Sequence, residues 1–347
     1  MPAARLRLSV IIPNRNHSVL LPRSLGAMVR QTRQPDEIIV IDDASTDNSL
    51  EVIRGFMPKL PQLQLLENPE RLGAVGSLNR GLQAATGDAV YCGAADDATD
   101  PEFIDVVLSA LERHPTAGLA CAEARLVSED GTFLGFRPVS MPLWHEGYLS
   151  PPDTAAMIQH QDNWVLSVVT IARRNRMLEA GGFDEALGPF CDGILQRRIA
   201  LETGFVFVPR VLGTWFVQRG SYSRSNSLDP TMITGLIRKV CERLKESEGA
   251  PFPVGYSELF SRRARFACAR LGVLEGDFDA HLVHGLMQGG RVDGGVLSLA
   301  RLLPGQFGRT AALVWLTIRL RPTSLLRLLT SALHRKLRGP ADRLRAP

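Results

Sequence analysis

Short apolar strands alternate with amphipathic helices between Leu8 and Asp97, and this alternation restricts the possible folds more than any other feature of the sequence. Apolar runs typical of buried strands cover residues 8–12, 37–41, 63–66 and 89–93. Apolar residues at helical spacing predict helices over residues 19–31, 50–56 and 73–85. Strands that alternate with helices in this way predict a doubly wound α/β domain with a mostly parallel sheet.

Two pairs of carboxylates follow two of these strands. Asp42–Asp43 comes directly after the second run, and Asp96–Asp97 comes soon after the fourth. The carboxyl ends of parallel strands line the crevice in which such folds bind ligands, so we expect both pairs at one edge of the sheet. Paired carboxylates there indicate a polar ligand together with a divalent cation. The alternative is that these aspartates only cap the helices that follow them.

Four short segments resemble family 2 of the inverting glycosyltransferases. They are VIIPNRN at residues 10–16, IDDASTD at 41–47, NRG at 79–81 and ADD at 95–97. The resemblance extends over residues 7–225 and implies the fold called GT-A, a single α/β domain that binds a nucleotide. We therefore expect a GT-A catalytic domain over residues 1–225, divided at residue 115 into a donor half and an acceptor half.

The resemblance implies a set of residues for binding the nucleotide of a sugar donor. Pro13 and Asn14 match the floor under the base, and Asp43 matches the acidic residue that accepts hydrogen bonds from the base or the ribose. Arg71 lies in the loop where the family often contacts the base, although a solvated surface arginine is an equal alternative. Asn79 is open to a packing or capping role instead of a ligand role.

The second acidic pair stands where the family has its metal motif. Asp96 is the expected ligand of Mg²⁺ or Mn²⁺, which would neutralise the charge that develops on the leaving diphosphate. Asp97 is expected to contact the donor sugar or to orient the loop. Ala94 occupies the position of the motif's first aspartate, so this chain lacks one of the usual carboxylates.

The expected catalytic base lies about a hundred residues downstream. The segment GGFDE at residues 181–185 precedes Cys191–Asp192, which resembles the Glu-Asp pair that opens a helix in this family. Asp192 therefore matches the general base that takes the proton of the acceptor hydroxyl, and Cys191 replaces the usual glutamate. The alternative is that Asp192 caps the helix over residues 193–203, where the helix dipole favours a negative charge.

A polar segment follows the last predicted strand. Arg219, Ser221 and Tyr222 are expected to contact the donor diphosphate, since related enzymes have a closing loop at this place. The alternative is a polar loop without a functional role.

These residues together predict an inverting transferase that moves a sugar from a nucleoside-diphosphate sugar to a saccharide or lipid-linked acceptor in cell-surface glycan synthesis. A catalytically silent sugar-nucleotide binder or scaffold is one alternative, because Ala94 and Cys191 each replace a carboxylate. A sugar nucleotidyltransferase is another, but it would need a glycine-rich basic loop after the first strand, and residues 13–19 do not form one.

Composition indicates where the protein works. The five cysteines form no CxxC pair, which favours reduced thiols in the cytoplasm over a disulfide framework or a zinc site. Residues 1–7 are too short for a signal peptide before the first strand, and no apolar run approaches the ~20 residues that span a bilayer.

We expect residues 226–347 to form a helical extension whose end is basic. From Arg301 onward, the only acid is Asp342, and the apolar stretches 311–318 and 325–329 are interleaved with arginines. A basic amphipathic helix of this kind can lie on the inner face of an anionic membrane. The alternatives are a helical pair packed on the catalytic domain or a contact between copies in a homo-oligomer. No motif indicates nucleic-acid binding.

Overall fold

A computed structural model describes residues 5–162, 164–218, 229–274, 280–320 and 325–337. The chain divides into two compact units. The first consists of Met1–Val217 together with Arg327–Pro347, and the second of Gln218–Leu326. The break after Val217 lies shortly before the expected boundary at residue 225. The chain returns to the first unit at Arg327, whereas the sequence predicted one continuous extension.

The first unit is built on a ten-stranded sheet. Its strands are β1 (Leu8–Asn14), β2 (Glu37–Asp42), β3 (Leu63–Glu67), β4 (Ala89–Cys92), β5 (Ala98–Thr99), β6 (Leu119–Ser128), β7 (Phe133–Arg137), β8 (Gly147–Leu149), β9 (Thr170–Arg173) and β10 (Phe205–Val217). The four strands expected from the first apolar runs are all present. Strands β1, β2 and β4 are buried along nearly their whole length, which is typical of parallel strands that are covered by helices, whereas β3 at the edge of the sheet exposes Gln64 and Glu67.

Helices cover this sheet. They are α1 (Leu21–Val29), α2 (Ser49–Phe56), α3 (Gly73–Ala84), α4 (Phe103–Arg113), α5 (Pro151–Ile158), α6 (Arg174–Glu179) and α7 (Cys191–Thr203). Two 3₁₀ turns, Ser167–Val169 and Glu185–Phe190, lie in the acceptor half. The predicted strand–helix alternation is therefore confirmed.

The sheet order is β3-β2-β1-β4-β9-β6-β10-β5, with β7 beside β6 and β8 beside β10. Strands β3, β2, β1 and β4 run parallel, and so do β6 and β10. Strand β9 runs antiparallel between β4 and β6 and joins the two parallel parts. The predicted mostly parallel central sheet is thus confirmed, with four strands, β5, β7, β8 and β9, that pair antiparallel and that the alternation pattern did not indicate.

Close packing of α3 on the sheet depends on a glycine. A Cβ atom on Gly81 would lie 2.4 Å from Ile11 Cγ2 and 2.8 Å from Ile41 Cδ1, which is closer than carbon atoms pack. The absence of a side chain therefore lets α3 approach β1 and β2 directly, and this places its N-terminus beside the carboxyl end of β2.

The last described helix, α13 (Leu325–Leu337), packs on the first unit. Arg335 Nε donates to Glu123 Oε2 at 2.7 Å, and Glu123 is completely buried in β6. One and two turns earlier on the same face, Ser331 Oγ accepts from Met141 N, and Arg327 Nη1 donates to Gln161 Oε1. For α13, the described contacts agree with the alternative of a C-terminal helix packed on the catalytic domain.

The second unit is helical in its described parts. Its helices are α8 (Pro230–Glu246), α9 (Tyr256–Leu274), α10 (Ala280–Met287), α11 (Arg291–Leu302) and α12 (Gly305–Leu320). Helices α11 and α12 form a tight hairpin, in which a Cβ on Gly308 would come within 2.2 Å of the Ala300 carbonyl oxygen. None of the helices in the described ranges has the length and apolar character needed to cross a membrane.

The Glu123–Arg335 pair generates a prediction about stability. We expect Arg335→Met to lower the free energy of unfolding by about 3–5 kcal/mol, because it removes the guanidinium that pairs with a completely buried carboxylate. The double variant Glu123→Gln/Arg335→Met should recover most of this loss. Urea titration followed by circular dichroism measures both, with Lys336→Met at the exposed neighbouring position as control. Equal midpoints for Arg335→Met and the control would contradict the prediction.

Candidate active site

The carboxyl ends of β1 and β2 bring Asn14 and Asp42 together. The two residues are register partners, and Asn14 Nδ2 donates to Asp42 Oδ1 at 2.9 Å. The Asp42 carboxylate also accepts from the Ser45 hydroxyl and the Ser45 backbone N–H, so it closes the turn after β2. Asn14 Oδ1, by contrast, is enclosed and has no hydrogen-bond partner among the described residues. An enclosed acceptor without a donor suits a ligand N–H.

Asp43 is buried and holds the N-terminus of α3. Its Oδ1 accepts from Asn68 Nδ2 at 2.8 Å and from Leu72 N at 2.7 Å, and its Oδ2 accepts from Gly73 N at 2.9 Å. Burial alone would raise the pKa of Asp43, but the donors from Asn68, Leu72 and Gly73 outweigh it and keep the pKa below its ordinary value. The helix-capping alternative therefore describes these contacts, and the nucleoside contact stays a prediction.

The remaining expected donor residues lie near this turn. Arg71 is exposed and directly precedes Leu72, while Pro13 is half-buried and pairs in register with Ile41. The side-chain amide of Asn79 donates to the Phe183 carbonyl and accepts from the Phe183 N–H, which are contacts of the kind that the packing alternative describes. The roles of Pro13 and Arg71 in binding a base stay predictions.

Asp96 and Asp97 lie just beyond the end of β4 and are held differently. Asp97 is buried, and its Oδ1 accepts from Phe216 N on β10 at 2.9 Å. Burial raises the pKa of Asp97 well above its ordinary value, and the neighbouring Asp96 raises it further. Burial also raises the pKa of Asp96, although the charges of His17 and Arg23 oppose this. A further positive charge, such as that of a bound cation, would stabilise the ionised form of both carboxylates.

Two residues that the sequence did not single out lie against this pair. Arg23 donates to the Asp96 carbonyl at 3.1 Å, and its guanidinium lies 3.6 Å from the centre of the Phe216 ring. His17 Nδ1 is enclosed and has no partner within the described parts of the chain. His17 and Arg23 thus bring positive charge to the strand end on which Asp96 lies.

These residues fit a divalent cation that phosphate oxygens of a ligand would also hold. The described residues contain no group of three His, Cys, Asp or Glu side chains that could hold a metal on their own. Mg²⁺ in nucleotide sites is held by one or two carboxylates together with substrate phosphates, and this is what Asp96 with Asp97 behind it offers. The missing carboxylate at Ala94 is compatible with such a site.

Asp192 opens α7, and its carboxylate is oriented by a short chain of hydrogen bonds. Ser167 Oγ donates to Asp192 Oδ2 at 2.6 Å, and Gly193 N lies 2.6 Å from Oδ1. Gln196 Nε2 donates to the Ser167 hydroxyl at 3.0 Å, so the hydroxyl proton is directed at Asp192. Gln196 Oε1 is enclosed and has no partner among the described residues. The carboxylate is thus fixed and keeps free lone pairs.

Asp192 lies at the same edge of the sheet as the second acidic pair. Burial raises the pKa of the Cys92 thiol to about 12, and the nearby Asp192 carboxylate raises it as well. Cys92 is the last residue of β4, four positions before Asp96. Tyr91 of β4 also donates to the carbonyl of Val168, which follows Ser167, the partner of Asp192, so Asp192 lies near the end of β4.

The remaining residues that the sequence singled out have structural contacts or lie outside the described ranges. Cys191 is buried, and this burial raises the pKa of its thiol, so it behaves as a core residue. Asp184 caps the following 3₁₀ turn by accepting from Ala186 N. Arg219, Ser221 and Tyr222 lie outside the described residues.

Ser167, Gln196, His17 and Arg23 are the residues of the site that sequence reasoning missed. The enclosed, unpaired atoms of Gln196 and His17 depend on tertiary packing, which no local pattern reveals.

Residues 9–170 match the model of the family described as Glycosyl transferase family 2. An uncharacterized glycosyltransferase of Nostoc sp. is 32% identical over 114 residues, which are 33% of this chain and 35% of that protein. The chain spans between about a third and two thirds of the length of the first curated relatives that it matches.

Two solved structures share the fold. One is S. aureus TarS 1–349 in complex with UDP-GlcNAc, with a TM-score of 0.61, 16% identity and 90% of each chain covered. The other is the mannosyltransferase PcManGT from Pyrobaculum calidifontis in complex with GDP-Man and Mn²⁺, with a TM-score of 0.59 and 19% identity. It covers 97% of this chain and 89% of that chain. The expected GT-A fold is confirmed.

The contacts of Asp43 generate a prediction about pH-dependent stability. We expect Asp43→Asn to lower the free energy of unfolding by about 1–3 kcal/mol at neutral pH, because buried backbone donors lose an acceptor. Since folding lowers the pKa of Asp43, its stabilising effect is present above the ordinary value of 3.8 and is lost as the pH falls through the lower folded value.

The deficit of Asp43→Asn relative to the wild type should therefore shrink on acidification. Urea titrations at a series of pH values measure it, and Glu70→Gln, an exposed change in the same loop, is the control. A deficit that stays constant down to strongly acidic pH would refute this account.

Proposed function

We propose that this chain, whose residues 9–170 match the model of glycosyl transferase family 2, transfers a sugar from a nucleoside-diphosphate sugar to a saccharide or lipid-linked acceptor with inversion. The observation that carries the proposal is the position of Asp192 near the end of β4, the strand whose last residue lies four positions before Asp96. Two similar folds were solved with UDP-GlcNAc and with GDP-Man and Mn²⁺, which supports a donor of this class.

The nucleoside of the donor is proposed to bind beside the ends of β1 and β2. Asn14 Oδ1 would accept from a base N–H, because it is enclosed and has no partner within the described chain. Asp43 Oδ2 accepts one hydrogen bond in the structure and so keeps a lone pair for a ribose hydroxyl or a base N–H. Pro13 would lie under the base, and the exposed Arg71 would fold over it.

The diphosphate and its cation are proposed to bind at Asp96, with Asp97 behind it. The raised pKa of both carboxyls reflects their burial, so ionisation and cation binding would favour each other. A bound Mg²⁺ or Mn²⁺ supplies a Lewis acid for the charge on the leaving diphosphate. Arg219, Ser221 and Tyr222, which lie outside the described residues, are proposed to add contacts to the phosphate oxygens.

Asp192 is proposed to act as the general base. It would take the proton of the acceptor hydroxyl while that oxygen bonds to the anomeric carbon and the electrons of the breaking bond pass to the diphosphate. Ser167 would keep the carboxylate oriented, since its hydroxyl is held by Gln196 and donates to Oδ2.

We propose that this reaction takes place in the cytoplasm, because the five cysteines are free thiols. We further propose that it serves the synthesis of a surface polysaccharide or glycan, because the matched family consists of sugar transferases. A catalytically silent binder of the same fold is the second candidate, and the buried Cys191 and Ala94 in place of carboxylates favour it. Donor binding without turnover would identify that protein.

The cation site generates the first test. We expect UDP-GlcNAc, GDP-Man or a related donor to raise the melting temperature only when Mn²⁺ is present, because the carboxylate and the phosphates share the cation. Asp96→Ala should abolish this metal-dependent increase. Asp153→Ala, at the exposed N-terminus of α5, is the control. A full increase in Asp96→Ala would remove the metal role from Asp96.

The base generates the second test. We expect Asp192→Asn to bind the donor as the wild type does and to lose about 10²–10⁴-fold in turnover, because the amide cannot take a proton. Ser167→Ala should show a smaller loss with unchanged donor affinity. Release of nucleoside diphosphate measures turnover, and calorimetry measures binding. An active Asp192→Asn enzyme would assign the base to another residue.

A further inference from the structure

The turn between α11 and α12 exposes large apolar side chains. Leu302 is 80% exposed, Leu303 48% and Phe307 76%, and every residue from Arg301 to Phe307 is exposed. We call Leu302, Leu303 and Phe307 the apolar tip. Clustered leucine and phenylalanine side chains that are exposed to water are unfavourable, so such a cluster usually marks an interaction surface.

The two helices of the hairpin continue this surface away from the turn. Helix α11 exposes Val292 and Leu299, and helix α12 exposes Val314 and Ile318. Their opposite faces are buried in the second unit, where Leu297 and Ala300 of α11 and Ala312 and Leu316 of α12 lie. The exposed side chains are thus not needed for packing within the hairpin.

The charge around the apolar tip is positive. Arg301 and Arg309 flank it, and no described residue forms an ion pair with either of them. The sequence contains no Asp or Glu between residues 294 and 341. The nearest acid before this stretch, Asp293, is buried and accepts from Trp315 Nε1 and from the Arg319 guanidinium, so its charge is used inside the hairpin.

We propose that the apolar tip docks on an anionic lipid surface, with Leu302, Leu303 and Phe307 inserted among the acyl chains and Arg301 and Arg309 at the headgroup phosphates. Apolar insertion flanked by basic residues is the pattern of interfacial membrane binding. A second copy of the chain is a poorer occupant, because two copies of this basic tip would repel each other.

Binding to vesicles tests the proposal in the full chain. We expect co-sedimentation with vesicles that mix phosphatidylglycerol and phosphatidylcholine, and much weaker binding to phosphatidylcholine alone. Leu302→Asp/Phe307→Asp should weaken binding about tenfold or more, because two inserted side chains are lost. Arg301→Gln and Arg309→Gln should each weaken it about fivefold and reduce its salt dependence.

The matched control is Leu329→Asp on α13, since Leu329 is 69% exposed and lies in a basic segment outside the hairpin. It should bind vesicles like the wild type. Circular dichroism confirms the fold of each variant. No binding of the wild type, or equal losses in the tip variant and the control, would overturn the proposal. Sedimentation velocity showing a dimer that only Leu302→Asp/Phe307→Asp dissolves, without vesicle binding, would assign the tip to a second copy instead.

Discussion

Parallel pairing of β1 with both β2 and β4 is the constraint on which the site depends. Because all three strands end at the same edge, the polar residues that follow them are brought together whatever their distance in the chain. The register places Asn14 opposite Asp42, and Gly81 lets α3 approach this edge closely enough for Asp43 to hold its N-terminus. A shift of one residue would turn these side chains to the other face of the sheet.

The carboxylates at this edge differ in how many hydrogen-bond donors compensate for their burial. This difference distinguishes a carboxylate that stabilises the fold from one that is suited to binding a ligand. Asp43 receives three donors, which outweigh its desolvation and lower its pKa, so it stabilises the fold as an ionised group. Asp97 receives one backbone donor beside a second carboxylate, and its pKa is raised. An electrostatic cost of this kind persists only where a ligand offsets it or where the rest of the fold holds the residues in place.

Strand ends and their carboxylates were predictable because a buried strand and the turn after it are encoded within a few neighbouring residues. The position of β9 between β4 and β6 was not, because strand order depends on packing between distant segments. Ser167 and Gln196 could not be predicted for the same reason, because their hydrogen bonds to Asp192 and to each other form only when the 3₁₀ turn at residues 167–169 packs against α7. For Asp43 the position was predictable but the role was not, because the same local pattern fits both a helix-capping residue and a nucleoside contact.

The basic C-terminal region shows why charge pattern alone does not locate a surface. Arg335 and Arg301 look alike in the sequence, yet Arg335 is committed to a completely buried glutamate, whereas no described residue forms an ion pair with Arg301. A buried partner removes an arginine from any external role, since separating the pair would leave a carboxylate in the core. At the α11–α12 turn, by contrast, arginines without an ion-pair partner among the described residues flank a cluster of exposed apolar side chains, and this combination directs the membrane hypothesis to that turn.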